Sequence, residues 1–481
     1  MAEGISSGFP TSLSYRIKTL AGNMSRIGVK MTPDRTTGIA PNDIITIKLP
    51  SNSLVDFRTF NLFYQFSTSS TTGVFIHPRY SSSLIERISF QINGQTVDIL
   101  PSYAFLYNTL MDLEGSSFDQ FSKRNVCEWF DPSLRFTSAD PSSTADVAIV
   151  SGNYTAAAQT ALSKVDGAIT HWLGFMGSCV PSVLNTALLG DVFIQIQFSS
   201  AYVLPAAIPA TAITVAGGNY TLDTVYATCD VISFADNTYY DLLASKVASS
   251  GLNVGFYSYL NARFASATKS GGINVNWNVS ANSLDQIICT MCKTDQNSVY
   301  KPMVVYGSNG DGSTVFSMSQ LVANPVLHGN NNTGSIRTEP LGDGFMNSYF
   351  FIRNGQAIKE SRISINNRPL NYGFITPKEI FIETMKALGY NHIDLGTNGI
   401  NACIFSLQHF CKYYFAHIED LTIQDTKDFY ISGLNSLGST LTITWEANFN
   451  GPNNSQTCIP VLYARLSKLL NIADGRNITV I

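Results

Sequence analysis

Alternation of apolar and polar residues begins near residue 45 and runs through most of the chain. Ile45, Ile47 and Leu49 alternate with Thr46 and Lys48 until Pro50 stops the run. A period of two belongs to a half-buried strand. Residues 57–66 are rich in aromatic side chains and predict a second strand. Residues 85–100 hold two short apolar runs around Asn93-Gly94. That pair suits a type I′ hairpin, whose two central residues both need positive φ. The period then becomes helical. Ser102 stands at the N-cap position, Tyr103, Leu106, Leu110 and Leu113 share one face, and Gly115 closes the end.

Residues 116–170 are irregular and predict a long excursion. Strands resume over 169–176, and Val192, Ile194, Ile196 and Phe198 alternate with Phe193, Gln195 and Gln197. Residues 220–234 add one or two more. Residues 237–251 predict a helix with Asn237 as cap and Tyr239, Leu242, Leu243 and Val247 on one side. This helix marks the junction between two halves. Strand-like segments return at 254–264, 273–279, 349–352 and 403–418, and Gly and Asn clusters between 308 and 334 mark loops.

The second half repeats the first. Arg87-Ile88-Ser89-Phe90 resembles Arg362-Ile363-Ser364-Ile365, an offset of 275. A helix follows in both places. In the second copy Thr376 and Glu379 read as a capping box with Pro377 at the first helical position, and Ile380, Phe381, Met385 and Leu388 precede Gly389. Ser102 to Gly115 and Thr376 to Gly389 each span 13 residues. Leu184-Asn185-Thr186 leads into the strand at 192–198. Leu434-Asn435-Ser436 likewise leads into Leu441, Ile443, Trp445, Ala447 and Phe449. Shared order makes duplication a better account than chance likeness of short strands.

Charge changes this picture. Only 13% of the 481 residues are charged, although 44% are hydrophobic; about 25% charged is usual. Asn, Gln, Ser and Thr therefore take the surface, and much of that surface is expected to lie against partners. A net charge of −4 excludes a globally basic nucleic-acid binder. Residues 1–40 are the exception, with Arg16, Lys18, Arg26, Lys30 and Arg35 against Glu3 and Asp34. They show no period and read as a flexible basic arm. No export signal opens the chain, so its eight cysteines are expected as free thiols and the protein as a soluble product of the cytosol.

Candidate chemistry is sparse. Cys289-Thr290-Met291-Cys292 is a lone CxxC without the second ligand pair that zinc requires. His409, Cys411 and His417 would share a face of a straight strand, but the aromatic crowding around them favours packing. Glu446 beside Trp445 lacks the second carboxylate of a glycosidase. Asp112 and Glu114 lie two apart on a helix and do not share a face. No phosphate loop, nucleophile elbow or HExxH is present. Catalytic, cofactor-binding and metal residues are therefore all expected to be none, and no cofactor is expected.

These features resemble the double jelly-roll major capsid proteins of icosahedral double-stranded DNA viruses, the lineage of adenovirus hexons and tectivirus coats. The resemblance is carried by residues 57–66, by Leu84-Ile85-Glu86-Arg87-Ile88-Ser89-Phe90-Gln91-Ile92-Asn93-Gly94 and the helix after it, and by Ser432-Gly433-Leu434-Asn435 before the last alternating strand. The texture is most similar to virophage and polinton-like virus coats and lacks the opening segment usual in giant-virus coats. The resemblance implies an all-β chain of two tandem eight-stranded antiparallel jelly rolls, each with one short helix inserted. The expected division is an arm at 1–40, a first roll at 41–236, and a second roll with a C-terminal tail at 237–481. It further implies a non-enzymatic homotrimer in the virion capsid. Implied partners are neighbouring trimers, penton and minor or cement proteins, and an internal membrane or packaged DNA for the arm. The alternative is a β-sandwich carbohydrate-binding or carbohydrate-active protein, which the Asn and aromatic content also fits.

Overall fold

Strand pairing sorts the chain into two sets, linked by one β-bridge between Val180 and Gly255 among the described residues. The computed structural model describes residues 24–69, 74–75, 77–78, 80–114, 164–204, 206–207, 219–234, 237–293, 353, 355–388, 407, 410–411, 414–422, 432–437, 441–451, 456–473 and 476–480. Short strands of two or three residues aside, the first set is β1 (Met24–Met31), β2 (Ile44–Lys48), β3 (Leu54–Ser69), β4 (Ile85–Ile92), β5 (Gln95–Pro101), β6 (Lys164–Ile169), β7 (Val192–Phe198) and β8 (Asn219–Phe234), with α1 (Tyr103–Glu114) between β5 and β6. Helix α2 (Thr238–Ser250) leads to the second set. This is β9 (Leu252–Arg263), β10 (Ile273–Val279), β11 (Leu284–Lys293), β12 (Ile358–Ile365), β13 (Arg368–Pro369), β14 (Ala416–Asp420), β15 (Leu441–Phe449) and β16 (Thr457–Ala473), with α3 (Pro377–Ala387) between β13 and β14. A final strand, β17 (Asn477–Val480), folds back on β16.

The first set forms sheets ordered β1-β8-β3-β6 and β2-β7-β4-β5; the second forms β9-β16-β11-β14 and β10-β15-β12-β13. Counted within each set, both read 1-8-3-6 and 2-7-4-5, and every pairing is antiparallel. Eight antiparallel strands in two packed sheets make a jelly roll, so the fold is two of them in tandem. The alternating strands deliver the core as expected. Val192, Ile194, Ile196 and Phe198 are buried in the first roll, and Leu441, Ile443, Trp445 and Ala447 in the second.

The duplication extends to single hydrogen bonds. Asn93 and Gly94 have φ of 48° and 79°, and Asn366 and Asn367 have 49° and 63°. Both pairs thus turn with positive φ, as a type I′ hairpin requires. The Asn93 amide donates to the Asp191 carbonyl at 2.8 Å, and the Asn366 amide donates to Thr442 at 2.9 Å. In β4 a bulge separates Ile85 from Arg87; in β12 one separates Ile358 from Glu360. The true correspondence is therefore Asn93 with Asn366, an offset of 273 rather than 275. A slip of two leaves every side chain on its original face, so the apolar pattern could not detect it. The second matched pair holds as read. Asn185 accepts from the Ala187 amide at 3.0 Å and Asn435 from Leu437 at 2.8 Å. Thr186 Oγ1 accepts from the Ser53 amide, and Ser436 Oγ accepts from the Ala281 amide.

Several expectations are corrected. Within the expected arm, residues 24–31 form edge strand β1, paired along its whole length with β8. It was illegible because nearly all of it is exposed, on both faces, so no period of two exists. Three of the five basic residues are engaged by the body. Arg26 binds Asp230 at 2.6 Å and buried Asp56 at 3.1 Å, Lys30 lies 3.9 Å over the Tyr226 ring, and Arg35 binds Asp43 at 2.6 Å. A described strand begins at Lys164, ahead of the expected 169, and Phe175–Ser178 is a helical turn. Ser102 has φ of 50°, not the extended backbone of an N-cap, and Asn237 makes no capping side-chain bond. Residues 407, 410 and 411 are helical, so Cys411 and His417 do not share a straight strand. The loops at 308–334, the strand at 349–352, His409, Cys127, Cys403 and residues 1–23 lie outside the described residues. Among those described, no helix is long and apolar enough to cross a membrane.

Candidate functional site

Among the described residues, none of the sequence's chemical candidates assembles into an open site. Cys289 and Cys292 are fully buried on β11; three apart on a strand, they face opposite ways. Six described cysteines are free thiols. Burial pushes Cys179 and Cys229 up to about 12 and Cys411 and Cys458 up to about 11, so these thiols are poor nucleophiles. Glu446 and Trp445 point to opposite faces of β15. Trp445 is in the core, while Glu446 accepts two hydrogen bonds from Arg362, one from Nε at 2.7 Å.

His417 sits in a chain of polar contacts. Ser361 Oγ is 2.9 Å from His417 Nδ1, and His417 Nε2 is 2.9 Å from Glu419 Oε1. Trp445 Nε1 donates to Ser361 Oγ at 2.9 Å, and Asn371 donates to Glu419 at 2.5 Å. The order resembles a nucleophile, base and orienting acid. Yet Ser361 and His417 are completely buried, so no substrate reaches the hydroxyl. Its work is to satisfy polar groups inside the second roll. No cluster of three metal-ligating side chains occurs among the described residues.

The developed surface is instead the face between the rolls. An aromatic chain crosses it. Phe57 and Phe90 lie 5.7 Å apart in the first core, Phe175 stacks on Phe90 at 4.2 Å, and Phe256 of β9 meets Phe175 edge-on at 5.0 Å. Phe105 of α1 stacks on Tyr463 of β16. Around the rings, Val180 and Gly255 exchange backbone hydrogen bonds, and the Tyr257 amide donates to Ser178 Oγ. Asp98 of β5 organises the centre. It accepts from Ser258 Oγ at 2.6 Å across the face and from the Phe175 amide at 2.9 Å. Burial raises its pKa, while those two bonds pull it back.

The outward faces of the β2-β7-β4-β5 and β10-β15-β12-β13 sheets carry polar ladders, mostly of uncharged side chains, with the Arg362–Glu446 ion pair on the same face as Thr442 and Thr444. Gln91 donates to Gln195, Thr444 to Asn276 and Thr442 to Asn278. Such faces are where the missing charge of the composition is seen. They cost less to desolvate against a partner than ionised groups do. Sequence reasoning found the ladders only as composition; the roll-to-roll face left no local signal, because its two sides lie about 160 residues apart, as Asp98 and Ser258 do.

No protein-family model and no curated protein matches the chain. Solved structures do match along nearly its full length. The PBCV-1 protein VP54, fitted into a cryo-EM reconstruction of the virophage Sputnik, aligns with a TM-score of 0.59 at 10% identity, covering 98% of this chain and 99% of its own. The Faustovirus major capsid protein gives 0.56 at 10% identity, with 97% and 93% covered. The cryo-EM structure of the Sputnik virophage gives 0.52 at 11% identity, with 100% and 93% covered. At such identities the agreement is one of fold, here the double jelly roll.

Proposed function

We propose that this protein is the major coat protein of an icosahedral virus, a homotrimer tiling hexagonal positions of the shell and residing in the virion. The observation that carries the reading is the strand-for-strand duplication, together with full-length agreement in fold with VP54 and the Faustovirus major capsid protein. Two similar rolls taken three times give six similar lobes, which suits a hexagonal lattice. The largely uncharged polar faces suit repeated protein contact. In this reading the first roll ends at 236 and the second begins at 237, with α2 as connector. The arm proper is then residues 1–23, which keep Arg16 and Lys18 for contact with a neighbouring trimer or with the interior, whether membrane or DNA. Penton and minor coat proteins are the remaining partners.

Light scattering and negative-stain microscopy of the purified protein test this. Three times the 52.4 kDa chain mass and particles of hexagonal outline are expected. A monomer at micromolar concentration would sink the reading.

A further inference from the structure

Two buried carboxylates of the first roll are treated in opposite ways. Asp56 of β3 is 1% exposed and lies 3.1 Å from Arg26 and 3.3 Å from Arg58. Asp98 of β5 is 4% exposed and takes part in no ion pair among the described residues. A carboxylate taken out of water needs a cation, a full set of hydrogen bonds or a proton. An ionised carboxylate can accept about four bonds. Asp98 is offered the Ser258 hydroxyl on Oδ1, the Phe175 amide on Oδ2 and the Ile99 amide.

The groups packed around it supply little else. On β4, Phe90 stands opposite Asp98; the turn at Phe175–Ser178 presents Phe175, and β9 presents Ser258 and Phe256. None of these titrates. Cys179, just after the turn, is buried with its thiol pushed up to about 12, so it stays neutral. Among the described residues, the cation whose pull reaches Asp98 is Lys468 of β16, which pairs with Phe256 and stops short of an ion pair. Burial therefore outweighs the three hydrogen bonds and Lys468, and lifts the carboxyl above its ordinary 3.8. Asp285 of β11 is likewise buried and raised, but its partners Ser283 and Ser467 belong to its own roll. Asp98 alone of the two spans the joint between the rolls.

We infer that the two rolls close on a protonated Asp98: docking moves one proton from solvent onto this carboxyl, and acid tightens the joint. Ser258 serves both states, because its hydroxyl donates to the carboxylate or accepts from the carboxyl. The sign follows from linkage. Above the docked pKa, Asp98 is ionised whether the joint is open or closed, and its burial weakens the joint by a constant amount. Between that value and 3.8, closing takes up a proton, so the joint strengthens as pH falls; below 3.8 the gain is complete. The device belongs to a single chain and stands whether or not the coat reading does.

The test is hydrogen exchange in the full chain at the amides that cross the joint, Val180, Gly255 and Tyr257, corrected for the intrinsic pH dependence of exchange. Protection in the native protein should rise on acidification between about pH 8 and pH 5, by at most about tenfold per pH unit for one proton. Asp98→Asn, which resembles the neutral acid, should show flat protection, and its infrared difference spectrum against the native protein should reveal a protonated carboxyl at acid pH. Ser258→Ala and Lys468→Gln each remove a group that favours the carboxylate, so both should move the onset to higher pH. Flat protection in the native protein, or a slope that persists in Asp98→Asn, would overturn the inference. If Asp98→Asn does not fold, an onset unmoved in both other variants would overturn it equally.

Discussion

Gly94 and Gly174 both have positive φ, 79° and 72°, but for different reasons. At Gly94 nothing lies within 4 Å of an added Cβ, so only the backbone conformation demands glycine. Gly94→Val should cost ~1 kcal/mol or slightly more in chemical denaturation. At Gly174 a Cβ would come within 2.5 Å of both Asp98 Oδ2 and Leu100 Cδ1. Gly174→Ala should therefore cost more, ~3 kcal/mol, because overpacking adds to the strain and disturbs the acceptor of the roll-to-roll face. Equal costs would show that Asp98 is free to move. Glu379 gives a pH signature. The Tyr372 hydroxyl, then the Thr376 amide and hydroxyl, donate to its carboxylate and hold it near 2, below the ordinary 4.5. A depressed pKa stabilises fully above the unfolded value and is lost as pH falls through the folded one. The melting-temperature gap between the native protein and Glu379→Gln should be constant from pH 7 to about 5. It should narrow below that and close near pH 2.

At the scale of elements, β1 is the edge strand of the first roll, paired along its length with β8. Removing residues 1–22 should leave melting nearly unchanged. Removing residues 1–35 should lower stability by ~2 kcal/mol or more. It strips the edge from β8 and takes Arg26 from the buried Asp56 carboxylate, leaving only Arg58 nearby at 3.3 Å. Thermal melts of the two truncations side by side decide this. Identical melts would mean that β1 contributes nothing to the roll. The helices were readable in a different way. The α3 cap stood in the sequence as Thr376, Pro377 and Glu379, all local chemistry. Around α1, Leu106, Leu110 and Leu113 were legible as one apolar face, whereas burial of Phe105 on the other side depends on Tyr463, more than 350 residues away.

For the whole molecule, the aromatic chain from Phe57 to Phe256 makes the roll-to-roll face continuous with the first core. Each ring is worth about 1.5–3 kcal/mol of burial. Cutting the chain between 236 and 237 should therefore yield halves that aggregate when made alone and reassociate when made together. Co-expression followed by affinity capture of one half checks it; soluble, independent halves would mean that the face is dispensable. Phe175→Ala, with ~3–5 kcal/mol at stake, should weaken the recovered pair.

The apolar period, the Asn93-Gly94 turn, the capped helix at Thr376 and the order of repeated pieces were enough to establish a β-rich chain with a duplicated strand–turn–strand–helix unit, because each is a local demand of backbone geometry or of one buried face; two jelly rolls were only what the resemblance to capsid proteins implied. Only tertiary structure decided the rest. The repeat register of 273 depends on bulges in β4 and β12, and a two-residue slip is silent in a period-two pattern. The strand β1 is held by pairing along β8 and by Arg26 on Asp56 rather than by an apolar face of its own. The face centred on Asp98 and Phe175 joins segments distant in the chain. Period and capping are properties of neighbours in sequence, whereas coverage is a property of neighbours in space.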